Sequence, residues 1–92
     1  MIKSFRNKAL KDLFETGATA GINAKYHQRI RVRLDTIHSA TTPKALDLPG
    51  WNFHPLRKDQ AGRYAVAVSG PWRLTFEFKD GDAYRVDFEQ YH

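Results

Sequence analysis

Apolar residues recur with one period in the first half of this chain and with another in the second. From Ile2 to Phe5 apolar and polar positions alternate, which predicts a short N-terminal strand or extended lead-in. Asn7 can cap a helix in which Ala9, Leu10, Leu13 and Phe14 recur at helical spacing, ending near Gly17. Asn23 can cap a second, longer helix with the stripe Tyr26, Ile30, Leu34 and Ile37. Between Thr41 and Gly50 the pattern breaks at Pro43 and Pro49-Gly50 around Lys44-Ala45-Leu46, which reads as a connector and not as a domain boundary.

Beyond that connector the period falls to that of a pleated strand. Tyr64, Val66 and Val68 alternate with Arg63, Ala65 and Ala67; Trp72, Leu74, Phe76 and Phe78 with Arg73, Thr75 and Glu77; Tyr84, Val86 and Phe88 with Arg85, Asp87 and Glu89. Gly70-Pro71 and Asp80-Gly81 supply the turn chemistry of two consecutive hairpins. Asn52 to Arg57 is a fourth candidate strand, confined to an edge because Pro55 has no N–H for a ladder. The expected fold is α+β, in one domain over residues 1–92: two N-terminal helices packed on one face of a small, mostly antiparallel twisted sheet.

Composition narrows the function classes. Ninety-two residues suit one small core, which Trp51, Trp72 and the six phenylalanines must largely fill in a chain whose mean hydropathy is −0.61. The absence of cysteine excludes disulfides, thiolate zinc sites and thiol catalysis, and fits a cytoplasmic location. No apolar run has the length of a signal peptide core or of a membrane span. Fifteen Lys and Arg against ten Asp and Glu give +5, a charge that suits an anionic partner or simply keeps a small domain in solution.

Strand parity sets the helices against the Trp72, Leu74 and Phe76 face and leaves Arg63, Arg73, Thr75 and Arg85 on a polar, basic one. On sequence alone Arg73 reads first as an exposed cross-strand partner of Asp87 or Glu89, and second as a phosphate ligand. His54 lies beside Arg57 and Lys58 and among aromatic residues, where a neutral imidazole can accept a proton. Lys25, Arg29 and Arg33 form a basic stripe on the second helix that reads as a solvated face. His27 and His38 read as surface residues, and no metal-ligand spacing or cofactor motif is present. Cleaving RNA without a metal takes a base, an acid and cations around the phosphate. His54 and His92 can be base or acid, Tyr91 a donor or stacking platform, and Arg73, Arg57 and Lys58 the cations.

Phe53-His54-Pro55-Leu56-Arg57, Trp72-Arg73-Leu74-Thr75-Phe76, Gly81-Asp82-Ala83-Tyr84 and the ending Tyr91-His92 together resemble the HigB family, a bacterial toxin branch of the RelE/ParE superfamily. Met1-Ile2-Lys3-Ser4-Phe5 and Leu13-Phe14-Glu15 extend the resemblance over nearly the whole chain. It implies a ribosome-dependent endoribonuclease that cuts mRNA in the decoding site of the 70S ribosome, against ribosomal RNA, and stops translation. It also implies a cognate helix-turn-helix antitoxin, with a DNA-binding, autorepressing complex as a form the pair can take. The family's functional positions map onto His54, Arg73, Tyr91 and His92, and onto Arg57, where lysine is frequent; Lys58, Arg63 and Gln90 complete the expected RNA contacts.

One position departs from the family pattern. The ending Asp-Tyr-His is here Gln90-Tyr91-His92, and glutamine can hydrogen-bond but cannot exchange a proton near neutrality. Either His54 and His92 handle both proton transfers, or turnover is slow, or the toxin is weakened. Two other readings stand beside the nuclease: a toxin-fold module that mainly binds its antitoxin, and a ParE-like gyrase inhibitor. Parity also puts Tyr91 on the Arg85 side and Gln90 and His92 on the Val86 and Phe88 side, so the pleat is expected to end or bulge near Glu89.

Overall fold

The computed structural model describes residues 1–91, and His92 lies outside them. Among the described residues are two α-helices, α1 (Lys8–Thr16) and α2 (His27–Ser39), and four strands, β1 (His54–Pro55), β2 (Arg63–Ser69), β3 (Trp72–Lys79) and β4 (Asp82–Gln90). The strands form one antiparallel sheet in the order β1-β2-β3-β4, which gives the expected α+β fold with β1 at an edge.

The local signals act where the sequence places them. The Asn7 side chain accepts from the Leu10 amide at 3.0 Å, and Gly17 closes α1 in the left-handed region, its N–H reaching the Leu13 carbonyl. The second helix starts differently. Asn23 caps a 3₁₀ turn (Ala24–Tyr26), and α2 begins only at His27 without a side-chain cap. Its stripe is as expected, with Ile30, Leu34 and Ile37 buried and Tyr26 half-buried against Trp72 and Phe88.

These residues meet Leu10 and Leu13 of α1 and Val66, Leu74, Phe76 and Val86 of the sheet in one core. Each buried leucine, isoleucine or phenylalanine contributes about 1.5–3 kcal/mol by leaving water. The N-terminal segment is tied to β4 in parallel sense, Ile2 bridging Ala83 and Phe5 bridging Val86. His38 and His27, expected at the surface, are half-buried tethers. His38 Nδ1 accepts from the Ile2 amide at 3.1 Å, and His27 Nε2 hydrogen-bonds the Ile22 carbonyl at 2.7 Å.

Two register slips shape the sheet. In β2 the pairing slips between Ala67 and Ser69, next to carbonyls that two arginines of α2 satisfy: Arg33 Nε donates to Ala67 O at 2.6 Å and Arg29 Nη1 to Val68 O at 3.2 Å. The basic stripe is therefore turned partly onto the sheet, with Arg33 also lying 4.7 Å from the Trp51 ring centroid. The second slip lies between Thr75 and Glu77 of β3, opposite Arg85, whose φ is 53°.

The bulge of β4 therefore lies at Arg85 and not near Glu89, where the strand only comes to its end at Gln90. Up to that end the ladder stays in register, with Arg73 paired to Glu89 and Trp72 to Gln90, and the Tyr91 amide beyond it donates to the Pro71 carbonyl at 2.9 Å. Tyr84, expected beside Val86 and Phe88, instead pairs with Glu77 on the other face, since one extra residue in the ladder inverts the parity upstream of it.

Candidate active site

The sheet face turned away from the helices carries the convergent polar side chains. Its middle strand presents Ala65 and Ala67, opposite His54 of β1 and Arg73 of β3 respectively. Small residues there leave room above β2, so groups from the flanking strands can approach one another. The Tyr91 ring stacks on the His54 imidazole at 6.2 Å between centroids and 9° between planes, and the Arg73 guanidinium carbon lies 4.3 Å from its centroid.

His54 is half-buried, and its Nδ1 is 2.8 Å from the Asn52 carbonyl. A carbonyl only accepts, so Nδ1 carries a hydrogen and, of the two ring nitrogens, Nε2 is the one that can exchange a proton. Asn52 sits at φ 46°, the left-handed turn that leads into β1.

Arg73 is 8% exposed, and its Nε is buried without a hydrogen-bond partner. Among the described residues its guanidinium enters no ion pair, although Glu89 stands directly across the ladder. The expected surface pair with Asp87 or Glu89 is thus replaced by a buried cation stacked on a tyrosine. A buried cation without a partner costs several kcal/mol, so a guanidinium that no carboxylate meets among the described residues is a candidate anion contact.

The Nε of Arg63 is likewise buried without a hydrogen-bond partner, but its two terminal nitrogens are committed to the protein. Arg63 is 4% exposed, and its Nη1 donates to Glu77 at 3.0 Å while Nη2 donates to Thr75 Oγ1 at 2.9 Å and to the Arg85 carbonyl at 3.0 Å. Burial pulls its pKa below the ordinary arginine value, the Arg6 charge adds to this, and Glu77 opposes it. Expected among the RNA contacts, Arg63 is committed to the protein's own polar network. Thr75 passes that network on by donating to Glu89 Oε2.

Arg57 and Lys58 are exposed and follow β1 beyond Leu56, whose amide pairs with the Arg63 carbonyl, so they stand at the Arg63 end of the sheet. Gln90 is exposed and pairs with Trp72, on the opposite face from Arg73 and Tyr91. His92 lies outside the described residues. The sheet therefore gathers His54, Arg73 and Tyr91, and sets Arg57, Lys58 and Gln90 elsewhere. Sequence reasoning missed the Asn52 carbonyl and the Thr75–Glu89 pair; the alternation of Ala65 and Ala67 was the available sign of a recess on β2.

A family profile for the RelE-like toxin of the type II toxin–antitoxin system HigB matches residues 3–92. The chain belongs to the HigB-like toxin family. A relative from Proteus vulgaris named Endoribonuclease HigB is 45% identical over 92 residues, covering the whole of both chains. A HigB-like toxin of a type II system implies an antitoxin partner. No helix among the described residues is long and apolar enough to cross a membrane, and none of their His, Asp and Glu side chains cluster in threes as a metal site requires.

Proposed function

We propose that this HigB-like chain works as one toxin domain over residues 1–92, an endoribonuclease that cuts mRNA in the decoding site of the 70S ribosome and halts translation in the cytoplasm. The observation that carries the reading is the buried guanidinium of Arg73, which enters no ion pair among the described residues and lies against the Tyr91 ring that also stacks on the His54 imidazole. The sequence relation to an endoribonuclease from Proteus vulgaris supports the same reaction class.

His54 Nε2 takes the proton of a ribose 2′-OH, and the 2′-oxygen attacks the adjacent phosphorus. Arg73 holds the non-bridging oxygens, where negative charge builds in the transition state. The departing 5′-oxygen takes a proton from Tyr91 or His92, leaving a 2′,3′-cyclic phosphate and a 5′-hydroxyl. No metal or cofactor has a part in these steps. Tyr91 also offers its ring to an unstacked base. Arg57 and Lys58 contact phosphates further along the strand, and Gln90 is available for a hydrogen bond at the rim. A helix-turn-helix antitoxin neutralises the toxin, and the pair forms a DNA-binding complex that represses its own synthesis.

Primer extension on a defined mRNA, with purified 70S ribosomes and this protein, tests the reading. New 5′ ends are expected only when ribosomes are present. Their absence at saturating protein would leave a module that binds its antitoxin without cutting RNA.

A further inference from the structure

Among the described residues no carboxylate pairs with the guanidinium of Arg73, although one is its direct cross-strand neighbour. Arg73 and Glu89 pair across β3 and β4, which brings their Cβ atoms to about 4.5–5.5 Å, well within reach of an Arg–Glu ion pair. The ion pairs among the described residues nevertheless leave Arg73 out. Glu89 Oε2 instead accepts from Thr75 Oγ1, a residue on the diagonal. Thr75 is fully buried, and its hydroxyl is oriented from behind, where it accepts from Arg63 Nη2 at 2.9 Å. A hydroxyl that accepts from a cation has its proton left to give, and Glu89 receives it. The Arg63 charge also acts on Glu89, so hydrogen bond and Coulomb attraction draw the carboxylate the same way, toward Arg63 and along β3 from Arg73.

We propose that Thr75, held by Arg63, is a positioning residue that keeps Glu89 off Arg73 and so preserves Arg73 as a receptor for the scissile phosphate. This rests on the reading that Arg73 receives that phosphate. Without the Thr75 hydroxyl, Glu89 turns to its cross-strand neighbour, Arg73. The resulting internal pair competes with the substrate phosphate at close range.

The test compares single-turnover cleavage of ribosome-bound mRNA by the wild type, Thr75→Val, Thr75→Ser, Glu89→Gln and Thr75→Val/Glu89→Gln, each checked by thermal unfolding. Thr75→Val keeps the shape and removes the hydroxyl, and it is expected to slow cleavage by about tenfold or more. Thr75→Ser, which keeps the hydroxyl, is expected to stay within about threefold of wild type. The deciding variant is the double one. With glutamine at position 89 no carboxylate can neutralise Arg73, so the double variant should recover to the rate of Glu89→Gln alone. A merely structural role for Thr75 would not be rescued in this way.

If Thr75→Val does not fold, Thr75→Ala with and without Glu89→Gln carries the same comparison. An unchanged rate in the single variant, or a loss that Glu89→Gln leaves in place, overturns the proposal. A wild type that makes no cuts overturns the nuclease reading and this inference with it. A cutting wild type with no Thr75 effect removes this inference alone.

Discussion

An imidazole, a guanidinium and a phenol meet on one sheet face, and each invites a substitution that separates chemistry from packing. His54→Gln keeps a polar side chain near the Asn52 carbonyl but has no lone pair that can hold a proton. It should lower single-turnover cleavage by about 10²–10⁴-fold, with RNA affinity nearly unchanged. A proportional loss of affinity in a binding titration would instead make His54 a contact residue. Gln90→Asp restores the family's acidic residue, and the structure predicts its outcome. Position 90 pairs with Trp72 on the face away from Arg73 and Tyr91, so the new carboxylate lies off the reacting phosphate. The cleavage rate should stay within about threefold of wild type. A large gain, read by the same primer-extension assay, would show that the chain end turns over during the reaction.

Elements that depend on near neighbours in the chain were plain in the sequence. The Asn7 cap, the Gly17 stop, the stripe of α2, the two hairpin turns and the edge role of β1 all follow from residues a few positions apart. Asn7→Ala leaves the Leu10 amide without its acceptor, and should destabilise the fold by about 1 kcal/mol, a melting-temperature loss of about 4–8 °C. No shift in a thermal melt would mean that water replaces the cap. The register slips were not legible, because both depend on long-range partners. In β2 the slip is supported by Arg29 and Arg33 reaching in from α2, and in β4 the extra residue at Arg85 is matched by the Arg63 side chain on its carbonyl. The same limit applied to the site. His54, Arg73 and Tyr91 were found through their chemistry and family resemblance. The difference between Arg63 and Arg73, two arginines on one face with the same parity, was settled only by which of them the folded chain surrounds with acceptors.

That difference has its largest consequence for the stability of the whole molecule. A chain of this length is stable by about 0.05–0.15 kcal/mol per residue, so one buried charge is a substantial fraction of the total. Arg63 is surrounded by Glu77, Thr75 and the Arg85 carbonyl, and removing it leaves Thr75 and that carbonyl without this donor and Glu77 with only the Arg85 side chain. Arg63→Ala should therefore cost about 3–5 kcal/mol and lower the melting temperature by more than about 10 °C. Arg73 has its stacking on Tyr91 to lose and a buried charge, in no ion pair among the described residues, to shed. Arg73→Leu fills a similar volume with apolar atoms, and should leave the melting temperature unchanged or raise it by a few degrees while abolishing cleavage. Paired melts and cleavage assays on the two variants check this directly. If Arg73→Leu is destabilised as much as Arg63→Ala, then Arg73 is a structural residue like Arg63, and the anion it awaits must be sought elsewhere on the sheet. If the two diverge, the molecule holds one buried cation to keep its fold and tolerates the other for the sake of its substrate.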